Sequence, residues 1–146
     1  MKTTIKTEYY IFLDINDLKP VKKNNILFEF TIPLANRLIL DNGLWEMGLS
    51  EFCISNNEEC PNMYICCDII RNSYVNNTSL SVLRFIPKTG KSMYKTFPNI
   101  YYFEILKPYI EILNMYIYMP EGVLESFEKI PLHCTVHIRK NEDEVH

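Results

Sequence analysis

LHCTVHIRK, residues 132–140, admits two incompatible readings. On a helix, His133 and His137 would stand about one turn apart and suggest a zinc site. On a strand, the same stretch simply alternates. Leu132, Cys134, Val136 and Ile138 face one way, and His133, Thr135, His137 and Arg139 face the other. The apolar residues recur with a period of two, not 3.6, which selects the strand. That choice also removes the metal site. Four strand residues span about 13 Å, and each imidazole would have to approach a shared ion to about 2 Å. Cys134 points away from both rings and cannot join them.

The same period recurs along the chain. ILFEFTIPL (26–34) sets Ile26, Phe28, Phe30 and Ile32 against Glu29 and Thr31, and LWEMGLSEFCI (44–54) sets Trp45, Met47 and Leu49 against Glu46, Gly48 and Ser50. Strand candidates are 8–15, 26–34, 44–54, 63–70, 80–87, 95–106, 109–119 and 132–140, the sixth with an edge or bulge at Pro98. Between them lie turn-like stretches at 16–25, 41–43, 55–62, 71–79 and 88–90, and a long connection at 120–131 with room for one helical turn. Ala35 is the only alanine, so the strongest helix former is nearly absent while β-branched and aromatic residues are plentiful.

Each strand has one apolar face to bury, which predicts an all-β domain of two packed antiparallel sheets over 1–146, with a core at about 8–140 and short polar ends. Eight strands with uneven loops predict a jelly roll; a closed eight-stranded barrel is the rival. Phe28, Phe30, Trp45, Leu49, Ile65, Cys67, Val136 and Ile138 are expected between the sheets.

The 146 residues suit one domain, large enough to need no metal or disulfide for stability. A net charge of −3 argues against a nucleic-acid surface. The first residues carry Glu8 and Asp14 and lack a long apolar core, so no signal peptide is expected, and no apolar run is long enough for a membrane helix. Five cysteines, an odd number, then read as reduced thiols. Sequons at Asn76 and Asn77 matter only to a secreted chain.

Cys66-Cys67-Asp68 is the most reactive-looking cluster, but adjacent strand residues face opposite ways and cannot share a metal. Cys67 aligns with Met63, Ile65 and Ile69 and reads as a core thiol. Cys66 and Asp68 share the face of Tyr64 and Ile70, where Asp68 is placed to bond the following loop or a partner subunit. Arg84, among Leu83, Phe85, Val82 and Ile86, reads either as a snorkelling surface arginine or as half of an ion pair at a subunit contact. Four glycines form no phosphate loop or nucleophile elbow. The residue pattern implies no catalytic residue, no cofactor and no metal.

Several segments resemble a family of small virus-like proteins of Polinton/Maverick elements and adintoviruses, penton-like or minor capsid components. Its pattern is W-E-V-[GA]-L-x-E, then Y-[VI]-x-C-D-I, a loop, x-L-L-R, and a closing L-x-x-x-L-H-F-R. Trp45, Glu46, Gly48, Leu49 and Glu51 match the first; Tyr64, Ile65, Cys67, Asp68 and Ile69 the second; Leu83 and Arg84 the third; His137 and Arg139 the fourth. The resemblance spans roughly Tyr10 to Arg139. Longer members carry a large insertion after the first motif, whereas here Phe52 leads to Met63 through a short loop. The resemblance therefore implies a bare jelly roll without a projecting domain. A minor capsid protein or a host-domesticated copy stands beside the penton as an option.

What the resemblance implies is a structural, non-enzymatic capsid component. It would form a homo-oligomer, a pentamer at a capsid vertex, beside a major capsid protein. Such a protein resides in the virion after synthesis in host cytoplasm or nucleus. Glu46, Asp68, Arg84, His133, His137 and Arg139 are the expected subunit-interface residues. The alternative is a β-sandwich binding module for a glycan, peptide or protein, using Tyr9, Tyr64, Tyr101, Tyr116 or Tyr118 as an aromatic platform. A third reading, a cupin-like metalloenzyme, would need ligands from His133, His137 and His146.

Overall fold

Alternating apolar and polar residues form strands here because each segment can bury one face only against a second layer. The computed structural model describes residues 7–41, 43–55, 59–123 and 128–141. In chain order the strands are β1 (Glu8–Leu18), β2 (Ile26–Ile39), β3 (Trp45–Ser55), β4 (Met63–Cys67), β5 (Ser73–Val75), β6 (Thr78–Leu80), β7 (Val82–Ile86), β8 (Ser92–Thr96), β9 (Phe103–Glu104), β10 (Tyr109–Tyr118) and β11 (Ile130–Lys140). Among the described residues no helix is long and apolar enough to cross a membrane.

The long strands make two antiparallel sheets. The first runs β1-β11-β3-β8, with β9 also on β3; the second runs β2-β10-β4-β7; β5 and β6 pair as a separate hairpin. The inner faces meet in one apolar cluster. Leu13, Met47, Leu49, Leu132 and Val136 enter it from the first sheet, and Phe28, Ile65, Leu83, Leu113 and Ile117 from the second. The protein is thus an all-β sandwich. Among the described residues the barrel is not formed, because each main sheet ends in unpaired edges: β1 and β8 on one, β2 and β7 on the other. All eight residues expected between the sheets are buried in this cluster.

Among the described residues eleven strands replace the eight expected, for local reasons. The stretch 95–106 divides in two. The chain pairs with β3 as β8, leaves it over 97–102, and rejoins it as β9. Pro98 lies in that excursion and has no N–H for a ladder. The stretch 71–79, expected as a loop, contains the β5–β6 hairpin, closed at Asn76-Asn77 with Asn76 at φ 55°. Asparagine tolerates that left-handed conformation better than most side chains. The fourth strand ends at Cys67, not Ile70, and beyond it Ile69 and Ile70 are both buried, so period two is broken there. The connection at 120–131 had room for one helical turn, and its residues 124–127 lie outside the described residues.

A bulge in β3 decides what the outer face presents. Val136 pairs with Leu49 while Thr135 pairs with Glu51, so Ser50 is the extra residue. Leu49 and Phe52 both remain in the core, three positions apart. Glu51 and Cys53 therefore join Glu46 and Gly48 on the solvent side.

Phe28 is fully buried, whereas Phe12 on β1 is 67% exposed. Phe28→Ala is expected to cost about 3–5 kcal/mol in urea unfolding. Phe12→Ala should stay within about 0.5 kcal/mol. Equal losses would show that the inner and outer faces have been exchanged.

Candidate functional site

The outer row of β11 is the richest polar constellation on the molecule. Its flanking strands supply one carboxylate after another. Arg139 Nε donates to Glu46 Oε1 on β3 at 2.7 Å, and its guanidinium lies 3.5 Å from the centre of the Tyr102 ring. His137 Nε2 lies 3.0 Å from Glu8 Oε2 on β1, and its Nδ1 lies 2.7 Å from the Tyr102 hydroxyl. Tyr10 stacks on the same imidazole at 4.4 Å. His137, expected as an outward and accessible ring, is therefore buried at 6% exposure beneath two tyrosines.

Glu51 anchors the other end of the row. Its Oε1 accepts from Thr135 Oγ1 at 2.7 Å and faces His133 Nε2 at 2.8 Å, and its Oε2 accepts from the Tyr94 hydroxyl at 3.1 Å. Hydrogen bonds from Thr135 and then His133 hold the Glu51 carboxyl below its ordinary range. The same contact, seen from the phenol, raises the Tyr94 hydroxyl. Cys53 faces out beside this group as the cross-strand partner of His133, and it is half-buried.

Four of the six expected interface residues, Glu46, His133, His137 and Arg139, thus share one face, and each is paired within the chain. The other two lie elsewhere. Asp68 sits in the turn after β4, where its Oδ2 accepts from Asn114 Nδ2 at 2.9 Å and its N–H donates to the Asn114 carbonyl at 3.1 Å. It anchors the end of β4 to β10. Arg84 pairs with the core residue Ile65 on the inner face of β7. Its guanidinium lies 4.3 Å from the centre of the Phe97 ring and 3.9 Å from that of Tyr101, and Nη1 donates to the Asn99 carbonyl at 2.9 Å. It stacks against the 97–102 excursion, near the reading of a snorkelling arginine.

The excursion also explains Gly48. A Cβ at that position would lie 2.3 Å from Ile100 Cγ2 and 2.6 Å from the Tyr101 carbonyl oxygen. Only glycine lets the chain cross the outer face of β3 so closely. This crossing delivers Tyr102 to His137 and Arg139.

Cys67 is fully buried in the core. Cys66, read as sharing a face with Asp68, Tyr64 and Ile70, is buried too, in a second cluster with Val75, Leu80 and Tyr118. The β5–β6 hairpin covers the outer face of the second sheet there. Tyr64 and Tyr116 pack against the same cluster. Tyr9 rests on Trp45 with ring centres 5.9 Å apart, and Tyr101 lies under Arg84. Of the five tyrosines named as a platform, Tyr64, Tyr116 and Tyr118 thus gather at this second cluster, while Tyr9 and Tyr101 lie elsewhere. Among the described residues, no three His, Cys, Asp or Glu side chains are grouped to hold a metal ion. His146 lies outside them.

Compared with known proteins, the chain matches no family model, no curated protein and no solved structure.

As partners of this row Glu8, Tyr94 and Tyr102 were not foreseen in the sequence, and Glu51 was named only as a motif match. The Leu49-Ser50-Glu51-Phe52 spacing, two polar residues between two apolar ones, was the available signal for the bulge that presents Glu51.

Glu51→Gln is expected to lower stability at neutral pH. Because the folded carboxyl ionises below its unfolded value of about 4.3, its contribution is present above that pH and fades as pH falls through the folded value. The wild-type and variant unfolding midpoints should therefore converge on acidification; a gap that persists undiminished at acid pH would contradict the assignment. Burial also pushes the thiols of Cys66, Cys67 and Cys134 up to about 12. At pH 8 their thiolate fraction is on the order of one part in ten thousand. In the native protein iodoacetamide should label Cys53 first, with these three labelled only after unfolding, as read by mass spectrometry. Cys67 reacting as fast as Cys53 would be the contrary result.

Proposed function

We propose that the chain is a jelly-roll structural subunit, a penton-like or minor capsid component that self-assembles, and not an enzyme. The strand pairing carries this reading. With the short β5, β6 and β9 set aside, the eight long strands pair first with last (β1 with β11), second with seventh (β2 with β10), third with sixth (β3 with β8) and fourth with fifth (β4 with β7). One long hairpin folded over itself into two sheets has this order, and two such Greek keys make a jelly roll.

That architecture also serves lectins and cupins, so fold alone does not choose among them. The resemblance to the Polinton and adintovirus family supports the capsid reading. Its matched residues have identifiable structural work: Trp45 is in the core, Gly48 admits the crossing chain, Cys67 is buried, and Arg84 stacks on the excursion. A capsid subunit would join other copies and a major capsid protein, most simply as a pentamer at a vertex, and would reside in the virion after synthesis in the host cytoplasm or nucleus.

One feature favours the alternative of a binding module. A groove of about 410 Å³ runs between β1 and β2, walled by Ile11, Phe12, Leu34 and Leu38 among others. Apolar walls with an aromatic rim suit a glycan or peptide.

Co-expression with the major capsid protein encoded in the same element, followed by imaging of the particles, separates these. The capsid reading expects this chain at defined positions in the particle. Particles that form without it overturn the reading, and binding of a glycan or peptide by a stable monomer would then establish the module.

A further inference from the structure

We infer that copies of this chain join head to tail by sheet extension, β1 of one copy pairing antiparallel with β8 of the next. The inference deepens the self-assembly reading above and rests on it. It starts from how the four free edges differ. β2 carries Pro33, and its pairing with β10 is irregular between Pro33 and Leu38. β7 and β8 are only five residues long. β1 is eleven residues long and contains no Pro, Gly, Lys or Arg. Proline, bulges, brevity and lysine are the devices that keep edges from pairing. Over Glu8–Ile15 β1 has none of them, and its one irregularity lies near its end, between Ile15 and Leu18. Its outer side is apolar as well: Tyr10 is 53% exposed, and its ring stacks with that of Phe12 at 6.4 Å.

Charge selects the partner edge. β1 carries Glu8, Asp14 and Asp17 and no base. The stretch 88–96, the turn into β8 and the strand itself, carries Lys88, Lys91 and Lys95 and no acid. Pairing β1 with another β1 would set acids near acids, and β8 with β8 would set lysines near lysines. Only the unlike pairing is favourable, and like charges across a junction are what suppress wrong partners. β8 also offers an exposed aromatic, Tyr94, for the junction's outer side.

Strand direction allows this pairing. Each step in β1-β11-β3-β8 is antiparallel. Three reversals leave β1 and β8 antiparallel to each other. A rotated copy can therefore continue the sheet with the same alternation of direction. Such a contact joins unlike surfaces, and it closes into a ring when the rotation permits.

The test uses the full chain in analytical ultracentrifugation across a wide concentration range at low and high salt. Wild type should assemble, more weakly at high salt. One variant reverses the first edge, Asp14→Lys with Asp17→Lys. A second reverses the other edge, Lys91→Glu with Lys95→Glu. All four residues are exposed, and thermal unfolding of each variant checks that the fold is kept. Each variant alone should assemble at least about tenfold more weakly, and an equimolar mixture should recover association, because a reversed edge of one variant then meets a complementary edge of the other; an odd-numbered ring would keep one mismatched junction. A β1–β1 contact would instead leave the second variant assembling by itself, which overturns the proposal. Variants that both assemble like wild type also overturn it, yet leave self-assembly through other surfaces standing. A wild type that stays monomeric throughout overturns it, while its incorporation into particles would still uphold the capsid role. Assembly with the expected charge rescue, but absence from particles, would uphold this contact and refute the capsid role.

Discussion

β11 is hydrogen-bonded on both sides, to β1 over Glu8–Leu18 and to β3 over Trp45–Ile54, and the rest of the molecule depends on that double pairing. Its inner row, Leu132, Cys134, Val136 and Ile138, is buried against the second sheet. A strand paired on one side only would leave the other row of backbone groups to water or to a partner, with nothing to hold its outer side chains in place. Here both neighbours are fixed in register. Glu8, Glu46 and Glu51 consequently arrive beside His137, Arg139 and His133 without any of the six having to search for its partner.

The polar face that results is held mainly by hydrogen-bond geometry, since exposed ion pairs contribute only about 0–1 kcal/mol each. Its order comes from the chain crossing over Gly48. The crossing carries Tyr102 onto His137 and Arg139, and Arg84 secures its near end against Phe97 and Tyr101. Arg84 and Gly48 stand on different sheets, so the excursion between β8 and β9 helps tie the two layers together at that side of the sandwich. Among the described residues the opposite side, between β1 and β2, has no comparable cover and leaves the groove.

The two outer faces are unlike. The first sheet turns its paired acids and bases outward. The second buries Cys66, Tyr118 and parts of Tyr64 and Tyr116 beneath the β5–β6 hairpin. This hairpin turns what would be an apolar surface patch into a small second core. The adjacent cysteines thus answer to two different cores, one on either side of β4, and both are shielded.

Alternation along the chain was enough to determine that the protein is all-β and to place the eight side chains expected between the sheets. A residue's side of a strand follows from its immediate neighbours, so Phe28, Trp45, Ile65 and Val136 could be placed without knowing what they would meet. It was also enough to separate His133 and His137 as metal ligands. What alternation could not determine is which strand lies beside which, and in what register. Glu8 and His137 are 129 positions apart, and Glu51 and His133 are 82 apart. No local pattern links them; only packing two sheets and inserting one bulge at Ser50 does. The burial of Cys66 and of His137 was hidden for the same reason. Each is covered by a segment, the β5–β6 hairpin or the chain at Tyr102, whose position is set by tertiary contacts and not by its own sequence.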